Sequence, residues 1–303
     1  MIETLPFTPL IIIGAGRSGT NILRDTICKL DGFDTWDCDE INPIWRHGNI
    51  RAENDEFDAD MANPKVIKFI RHRFIKQWKL SGQPDFLVEK TCANSLRVPF
   101  IVKILPEAKF LFIVRNGFDV VASAEKRWRG EMEIESSNYY WSKIKHTPLQ
   151  DLPIYGIRFL QARFGMFLKN RKHLAFWGPQ FAALKNVSGD VSLNTLCAMQ
   201  WAACVSKAAD DFQDISDDRV HNIKYEEFTA SPVDEMARIY EFLQRDVHRQ
   251  ALRSACSSVK QSSVGKGNNL QSAQNEQLVS IMADALSSLG YITRDRRSDS
   301  DGL

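Results

Sequence analysis

Leu10-Ile-Ile-Ile13 is a short, β-branched run with no polar face, the pattern of a strand buried on both sides in a parallel sheet. Gly14 ends it, and GAGRSGT (Gly14 to Thr20) supplies a tight turn. Beyond the turn, Ile22, Leu23, Thr26, Ile27 and Leu30 recur at helical spacing, with Gly32 just past their end. The chain therefore opens as strand, glycine-rich loop, helix. Phe86-Leu87-Val88 is a second strand candidate and runs into Glu89-Lys90-Thr91. Asn94 or Ser95 is placed to cap a helix that continues to about Leu105, before Pro106. Lys109 to Val114 (KFLFIV) is the clearest strand; it ends at Arg115, and a helix follows from about Asp119 to Trp128.

Residues 130–215 read as mostly helical and rich in aromatics. Val220 to Lys224 is a further strand candidate, ending at Tyr225-Glu-Glu. Ser231-Pro232 carries the signature of an N-cap with proline in the first turn, ahead of Met236, Ile239, Tyr240 and Leu243. A last amphipathic helix holds Leu278, Ile281, Met282, Ala285 and Leu289. Repeated strand-then-helix units predict an α/β fold with a mainly parallel sheet. The expected organisation is one domain over residues 1–293, with a helical insertion at about 130–215. The polar stretch 294–303 reads as a disordered tail.

Composition narrows the function classes. The 303 residues carry 39 Lys and Arg against 38 Asp and Glu, a net charge of +1. That balance argues against a globally electrostatic nucleic-acid or membrane binder. Hydrophobic residues at 44% and charged residues at 25% are ordinary for a globular protein. No stretch supplies the roughly 20 apolar residues of a membrane span, and the N-terminus lacks signal-peptide character. The six cysteines form no CxxC pair and no metal-ligand cluster with histidines. They read as free thiols in a reducing cytoplasm, with no metal expected.

The glycine loop is the main chemical signal. Its backbone N–H groups, together with the start of the following helix, point at an anion. Three ligand classes use such a loop. Gly14-x-Gly16-x-x-Gly19 fits the dinucleotide fingerprint, for which Asp34 and Asp37 lie at the right distance. The segment GFDTWDCDEI, however, offers no continuous apolar strand to carry them. Gly14 and Gly19 also have the spacing of a nucleoside-triphosphate loop, yet Thr20 and Asn21 stand where its lysine and metal-binding hydroxyl belong. The third class keeps that loop geometry and places a cation, Arg17, where it reaches the group being transferred.

GAGRSGTN (residues 14–21) resembles the 5′-phosphosulfate-binding loop of sulfotransferases that use 3′-phosphoadenosine 5′-phosphosulfate (PAPS). Phe110 to Ser123 resembles the same family's 3′-phosphate segment, in which a strand ends in Arg and a Ser follows eight residues later, here Arg115 and Ser123. The family usually has an Asp and a basic residue where Asn116 and Phe118 stand. Glu89-Lys90-Thr91, Tyr225-Glu-Glu-Phe228 and Ser263 to Asn268 resemble later segments of the family in the same order. The likeness spans about residues 8–292 in patches and is closest to the bacterial, glycan and tyrosylprotein branch.

The resemblance implies a three-layer sandwich of the P-loop nucleoside-triphosphate-hydrolase type and a metal-free sulfuryl transfer from PAPS as co-substrate. Arg17 would stabilise the transferring group, and Lys90 would act as a second cation. Gly16 and Arg17 would join the cofactor site, and the backbone of Ser18, Gly19, Thr20 and Asn21 would cradle the 5′-phosphate, with the Thr20 hydroxyl assisting. Arg115 and Ser123 would hold the 3′-phosphate, and Lys266, between Gly265 and Gly267, would close over the cofactor. Glu40 stands where relatives place a catalytic carboxylate, with Asp37 and Asp39 as neighbours of the same chemistry. His47 is a weaker base candidate. Tyr225 and Trp128 would stack on adenine or shape the pocket, although core packing suits each as well. The expected acceptor is a small molecule or glycan, a saccharide hydroxyl by preference, with no nucleic-acid partner. An NAD(P)-dependent oxidoreductase and a non-catalytic nucleotide-binding module remain the competing readings.

Charge is unevenly spread. Residues 53–60 are acidic, while no acidic residue falls between Asp151 and Asp190, a stretch holding Arg158, Arg163, Lys169, Arg171, Lys172 and Lys185. This run is either a solvated helical face or a surface that receives an anionic acceptor.

Overall fold

A computed structural model describes residues 4–128, 145–157, 178–187, 191–261, 264–270 and 276–292. Five strands form one sheet: β1 (Thr8–Ile13), β2 (Phe33–Thr35), β3 (Phe86–Lys90), β4 (Lys109–Val114) and β5 (Val220–Lys224). Their order is β2-β3-β1-β4-β5, and every pairing is parallel. Parallel neighbours need crossovers, and helices supply them on both faces.

Strand alternation builds the layers. Leu10, Ile12, Val88, Leu111 and Ile113 face one hydrophobic cluster, shared with α1 (Thr20–Ile27) and the helices Tyr225–Ala230, Pro232–Phe242 and Arg249–Ala255. Ile11, Ile13, Leu87, Phe110 and Phe112 face the other, shared with α2 (Asn42–Trp45), α3 (Pro64–Leu80), α4 (Val98–Ile104), α5 (Gly117–Trp128), Leu193–Phe212 and Glu276–Ser288. The result is the expected three-layer α/β sandwich, here with an all-parallel sheet. Each fully buried aliphatic or aromatic side chain contributes on the order of 2 kcal/mol.

Local departures from expectation have clear causes. A strand does follow the first helix, but β2 is three residues long and pairs with β3, not β1. Asn94 does not cap a helix: its amide donates to the buried Glu89 carboxylate, Cys92–Leu96 is a 3-10 turn, and α4 begins at Val98 with proline in its first turn. Ser231 occupies the N-cap position of Pro232–Phe242, but its side chain makes no capping bond. Among the described residues, no helix is long and apolar enough to cross a membrane.

Candidate functional site

The glycine loop sits at the carboxyl end of the central strand, where β1 runs between β3 and β4. Its shape demands glycine twice. A Cβ at Gly14 would lie 2.6 Å from the Ile113 carbonyl oxygen. Gly19 has φ +93°, and a Cβ there would lie 2.3 Å from the Tyr225 ring. Between them Arg17 adopts φ 71°, a left-handed conformation that costs a side-chain-bearing residue about 1 kcal/mol or more. Contacts from distant segments hold it there. Arg17 Nε donates to Ser123 Oγ at 3.0 Å, and the Arg115 guanidinium donates to the Arg17 carbonyl at 3.1 Å. The two segments singled out in the sequence, 14–20 and 110–123, therefore meet at Arg17.

Arg115 is buried at the end of β4. Its guanidinium lies 4.5 Å from the centroid of the Tyr225 ring and 3.6 Å from Asp119. Tyr225 is itself buried and backs both Gly19 and Arg115, a position that supports the loop through packing. Asn116 keeps the capping role that the usual Asp would fill. Its side-chain oxygen accepts from the Phe118 N–H at 3.0 Å, the N-cap geometry for α5. Its backbone N–H donates to Glu226 at 2.9 Å.

Asp119 reaches further. It accepts from the N–H groups of Gly265 and Gly267 at 2.9 and 2.7 Å, so the segment carrying Lys266 is fastened onto the start of α5, beside Arg115. A side chain at Gly267 would lie 2.2 Å from the Phe118 carbonyl carbon, which is why the loop can approach so closely. Lys266 is exposed on that loop.

Lys90, the last residue of β3, is not a solvated lysine. Its side chain is 1% exposed, and its ammonium meets Asp39 at 3.0 Å and Glu40 at 3.2 Å. Burial alone would lower its pKa, but Glu40 and Asp39 outweigh burial and hold it above the ordinary lysine value. Glu40 also accepts from the Cys92 N–H at 3.3 Å, and the Thr20 hydroxyl lies 3.9 Å from the Cys92 sulfur. The candidate carboxylate and the glycine loop thus share Cys92 as a neighbour.

Asp39 is gripped by Arg24 of α1 at 2.8 Å as well as by Lys90. Burial pushes its carboxyl upward, but these two cations prevail, and its pKa lies below the usual aspartate value. Asp37 turns to other partners, Lys145 at 2.5 Å and His146, and its pKa is likewise lowered against the upward push of burial. Asp37, Cys38 and His146 place ligand-type atoms within 4.8 Å of one another, but the Asp37 carboxylate is already engaged by two basic groups, and we assign no metal. His47 pairs with Asp151 at 2.7 Å.

Sequence reasoning passed over several positioning groups. Glu89 is 1% exposed, and burial raises its pKa to about 7. It accepts from the Thr91 hydroxyl and the Asn94 amide, each at 2.6 Å, while Thr91 accepts from the Ile41 N–H at 3.1 Å. This chain of bonds fastens the segment that carries Glu40 to the end of β3. Arg24, Asp119 and Glu226 were also passed over. A carboxylate inside an apolar strand was the available signal for Glu89; the others are ordinary surface patterns until the chain folds.

Ser18 is fully buried, and its hydroxyl has no hydrogen-bond partner among the described residues. Such a group normally finds a partner, and here it belongs to the loop whose N–H groups are suited to an anion. Asn21 is exposed at the start of α1. Of the basic run, Lys185 pairs with Glu53 at the surface. Arg158, Arg163, Lys169, Arg171 and Lys172 lie outside the described residues, as do the Trp128 side chain, Tyr139 to Trp141, Ser263 and the 294–303 tail.

A family model described as "Sulfotransferase family" matches residues 9–152 and 167–250, well over half of the chain. The chain belongs to the sulfotransferase family. Solved structures agree on the fold. Sulfotransferase STF9 from Mycobacterium avium superposes with a TM-score of 0.54 at 12% identity, covering 94% of this chain and 77% of that one. The sulfotransferase domain of the Synechococcus PCC 7002 olefin synthase gives 0.51 at 15%, covering 96% and 98%. Mouse sulfotransferase SULT7A1, complexed with PAP, gives 0.50 at 16%, covering 94% and 87%. A search of curated protein sequences gives no significant match.

Proposed function

We propose that this sulfotransferase moves a sulfuryl group from PAPS to an acceptor hydroxyl, a saccharide hydroxyl by preference, with Glu40 as general base. The observation that carries the reading is the junction at Arg17, where the phosphosulfate-type loop is bonded to both Arg115 and Ser123. That junction brings the two candidate anion-binding segments together, which suits a donor carrying both a 5′-phosphosulfate and a 3′-phosphate. The presence of PAP in the SULT7A1 structure supports a donor of that type.

The donor supplies an activated sulfuryl group; the chain's residues bind, orient and exchange a proton. The N–H groups of residues 19–21 and the orphaned Ser18 hydroxyl suit the 5′-phosphate, the Ser18 N–H being taken by the Ala15 carbonyl. Arg115, buried and at a helix start, suits the 3′-phosphate together with Ser123. Arg17 is positioned to offset negative charge that grows during transfer. Glu40 is favoured over its neighbours because it shares Cys92 with the glycine loop, whereas Asp39 is gripped by Arg24 as well as Lys90 and Asp37 turns to Lys145 and His146. Lys90 holds Glu40 in place and keeps a positive charge beside it. Lys266 would close the donor side from the loop that Asp119 fastens.

The strand order weighs against a dinucleotide site. In the doubly wound dinucleotide fold β1 neighbours β2, whereas β3 intervenes here. Transfer of radiolabelled sulfate from PAPS to saccharide, phenol and tyrosyl-peptide acceptors tests the proposal. Arg17→Ala should lower turnover by about 10² to 10³-fold without changing the melting temperature, and Glu40→Gln should also suppress transfer. PAPS, unlike NADH or ATP, should raise the melting temperature. Undiminished transfer by both variants would overturn the assignment of roles, and protection by NADH alone would overturn the donor.

A further inference from the structure

The outer face of α3 carries a feature that the proposed reaction does not use. Its sequence, PKVIKFIRHRFIKQWKL, contains no acidic residue. Val66, Ile70, Phe74 and Gln77 are buried against the core, while Lys65, Lys68, His72, Lys76 and Lys79 are exposed. At about 100° per residue these five positions fall within a sector of about 80°, and they run for about 21 Å along the helix. None of the four lysine ammonium groups enters an ion pair or hydrogen bond among the described residues. The buried basic residue of the helix, Arg71, is by contrast held by Glu107 at 2.6 Å. On a chain of net charge +1, an unpaired row of this kind makes a strongly local positive field.

Exposed aliphatic side chains occur at the end of the same helix and in the segment tied to it. The segment 146–151 is tied to α3 directly at Arg73, which donates to the His146 carbonyl at 3.1 Å, and indirectly through His47, which lies tilted against Phe69 and pairs with Asp151. Within that segment Leu149 is 82% exposed, Ile157 just beyond it is 56% exposed, and Leu80, at the end of α3, is 68% exposed. A soluble polyanion has no use for bare leucines beside its cations. A lipid headgroup layer takes both.

We infer that this face docks the protein on an anionic lipid surface, with the lysine row meeting the headgroups and Leu149 and Leu80 entering the boundary. The contact is peripheral, because the apolar stripe of α3 is already consumed by the core. Net charge hides the device, since α3 itself carries no acidic residue to balance its lysines.

Sedimentation of the full chain with lipid vesicles tests it, using phosphatidylcholine vesicles with and without phosphatidylglycerol. The expected result is salt-sensitive binding only when phosphatidylglycerol is present. Each Lys→Gln change at positions 65, 68, 76 and 79 should weaken binding about fivefold, the equivalent of about 1 kcal/mol per cation. Because all four lysines are exposed, the quadruple variant should keep its melting temperature, which separates lost docking from lost folding. Leu149→Ser should weaken vesicle binding while leaving retention on dextran sulfate unchanged. The inference is overturned by absent binding, by undiminished binding of the quadruple variant, by an indifferent Leu149→Ser, or by retention on dextran sulfate or DNA without any vesicle binding.

Discussion

Lys90→Met deletes a buried charge while keeping most of the apolar stem, so it isolates what the ammonium does for the site. At 3.2 Å from Glu40, the pair is worth about 5 kcal/mol of gross attraction at an effective dielectric constant of about 20. Desolvating an ammonium takes several kcal/mol of that back, and a methionine avoids the penalty. The variant leaves Asp39 with Arg24, and Glu40 with the Cys92 N–H. Stranding a buried partner costs about 3–5 kcal/mol, but the two carboxylates are each 25% exposed and water relieves part of it. The expected loss is therefore about 2–3 kcal/mol, or a fall in melting temperature of about 5 °C. A double-mutant cycle with Glu40→Gln in urea should give a coupling of about 1–2 kcal/mol. The pH dependence has a definite sign. The folded pKa of Asp39 lies below the ordinary value of 3.8, so its contribution is complete above about pH 4 and is lost as pH falls through the folded value. The gap between wild type and variant should narrow below about pH 4. Equal stability of the two proteins at pH 7, with no coupling to Glu40, would refute the idea that Lys90 anchors the carboxylate.

Three further outcomes follow from the geometry. Gly19→Ala should cost about 1–3 kcal/mol and weaken donor binding at least tenfold, because its Cβ meets the Tyr225 ring at a left-handed φ; thermal melting and PAPS titration measure the two effects. Asp119→Ala should raise the donor KM about tenfold with a smaller effect on kcat, since it releases two amide bonds that hold the Lys266 loop; an unchanged KM would exclude that loop from donor binding. Glu89 titrates at about 7 in the fold against 4.5 when free, so its stabilising contribution is present below about pH 4.5 and is lost as pH rises through 7. Glu89→Gln should cost about 1–2 kcal/mol, because it turns an amide N–H toward a donor, and should flatten the decline in stability between pH 4.5 and 7 seen by urea denaturation.

Sequence alone determined what depends on neighbours in the chain. The apolar run Leu10 to Ile13, the glycine loop and the strand ending at Arg115 are all local patterns, and each lies where periodicity and turn chemistry placed it. The fold class follows, because strands without a polar face must be covered on both sides. The segments that carry Arg17, Arg115 and Ser123 were legible for the same reason.

Tertiary structure decided everything that depends on which strand ends lie side by side. β3 inserts next to β1, and that single choice brings Lys90 to Asp39 and Glu40, some 50 residues away in the chain. It also weighs against the dinucleotide reading, which the glycine spacing by itself had allowed. β2 escaped notice because three residues show no period; only pairing with β3 makes them a strand. Asp119 looked like one acidic residue in a first helical turn until the chain returned 146 residues later with Gly265. The lysines of α3 follow a helical period that the sequence displays. Their exposure and lack of partners, and the neighbouring Leu149, arise from the packing of elements that the chain order keeps apart, which is why the net charge of +1 described the whole molecule and not this face.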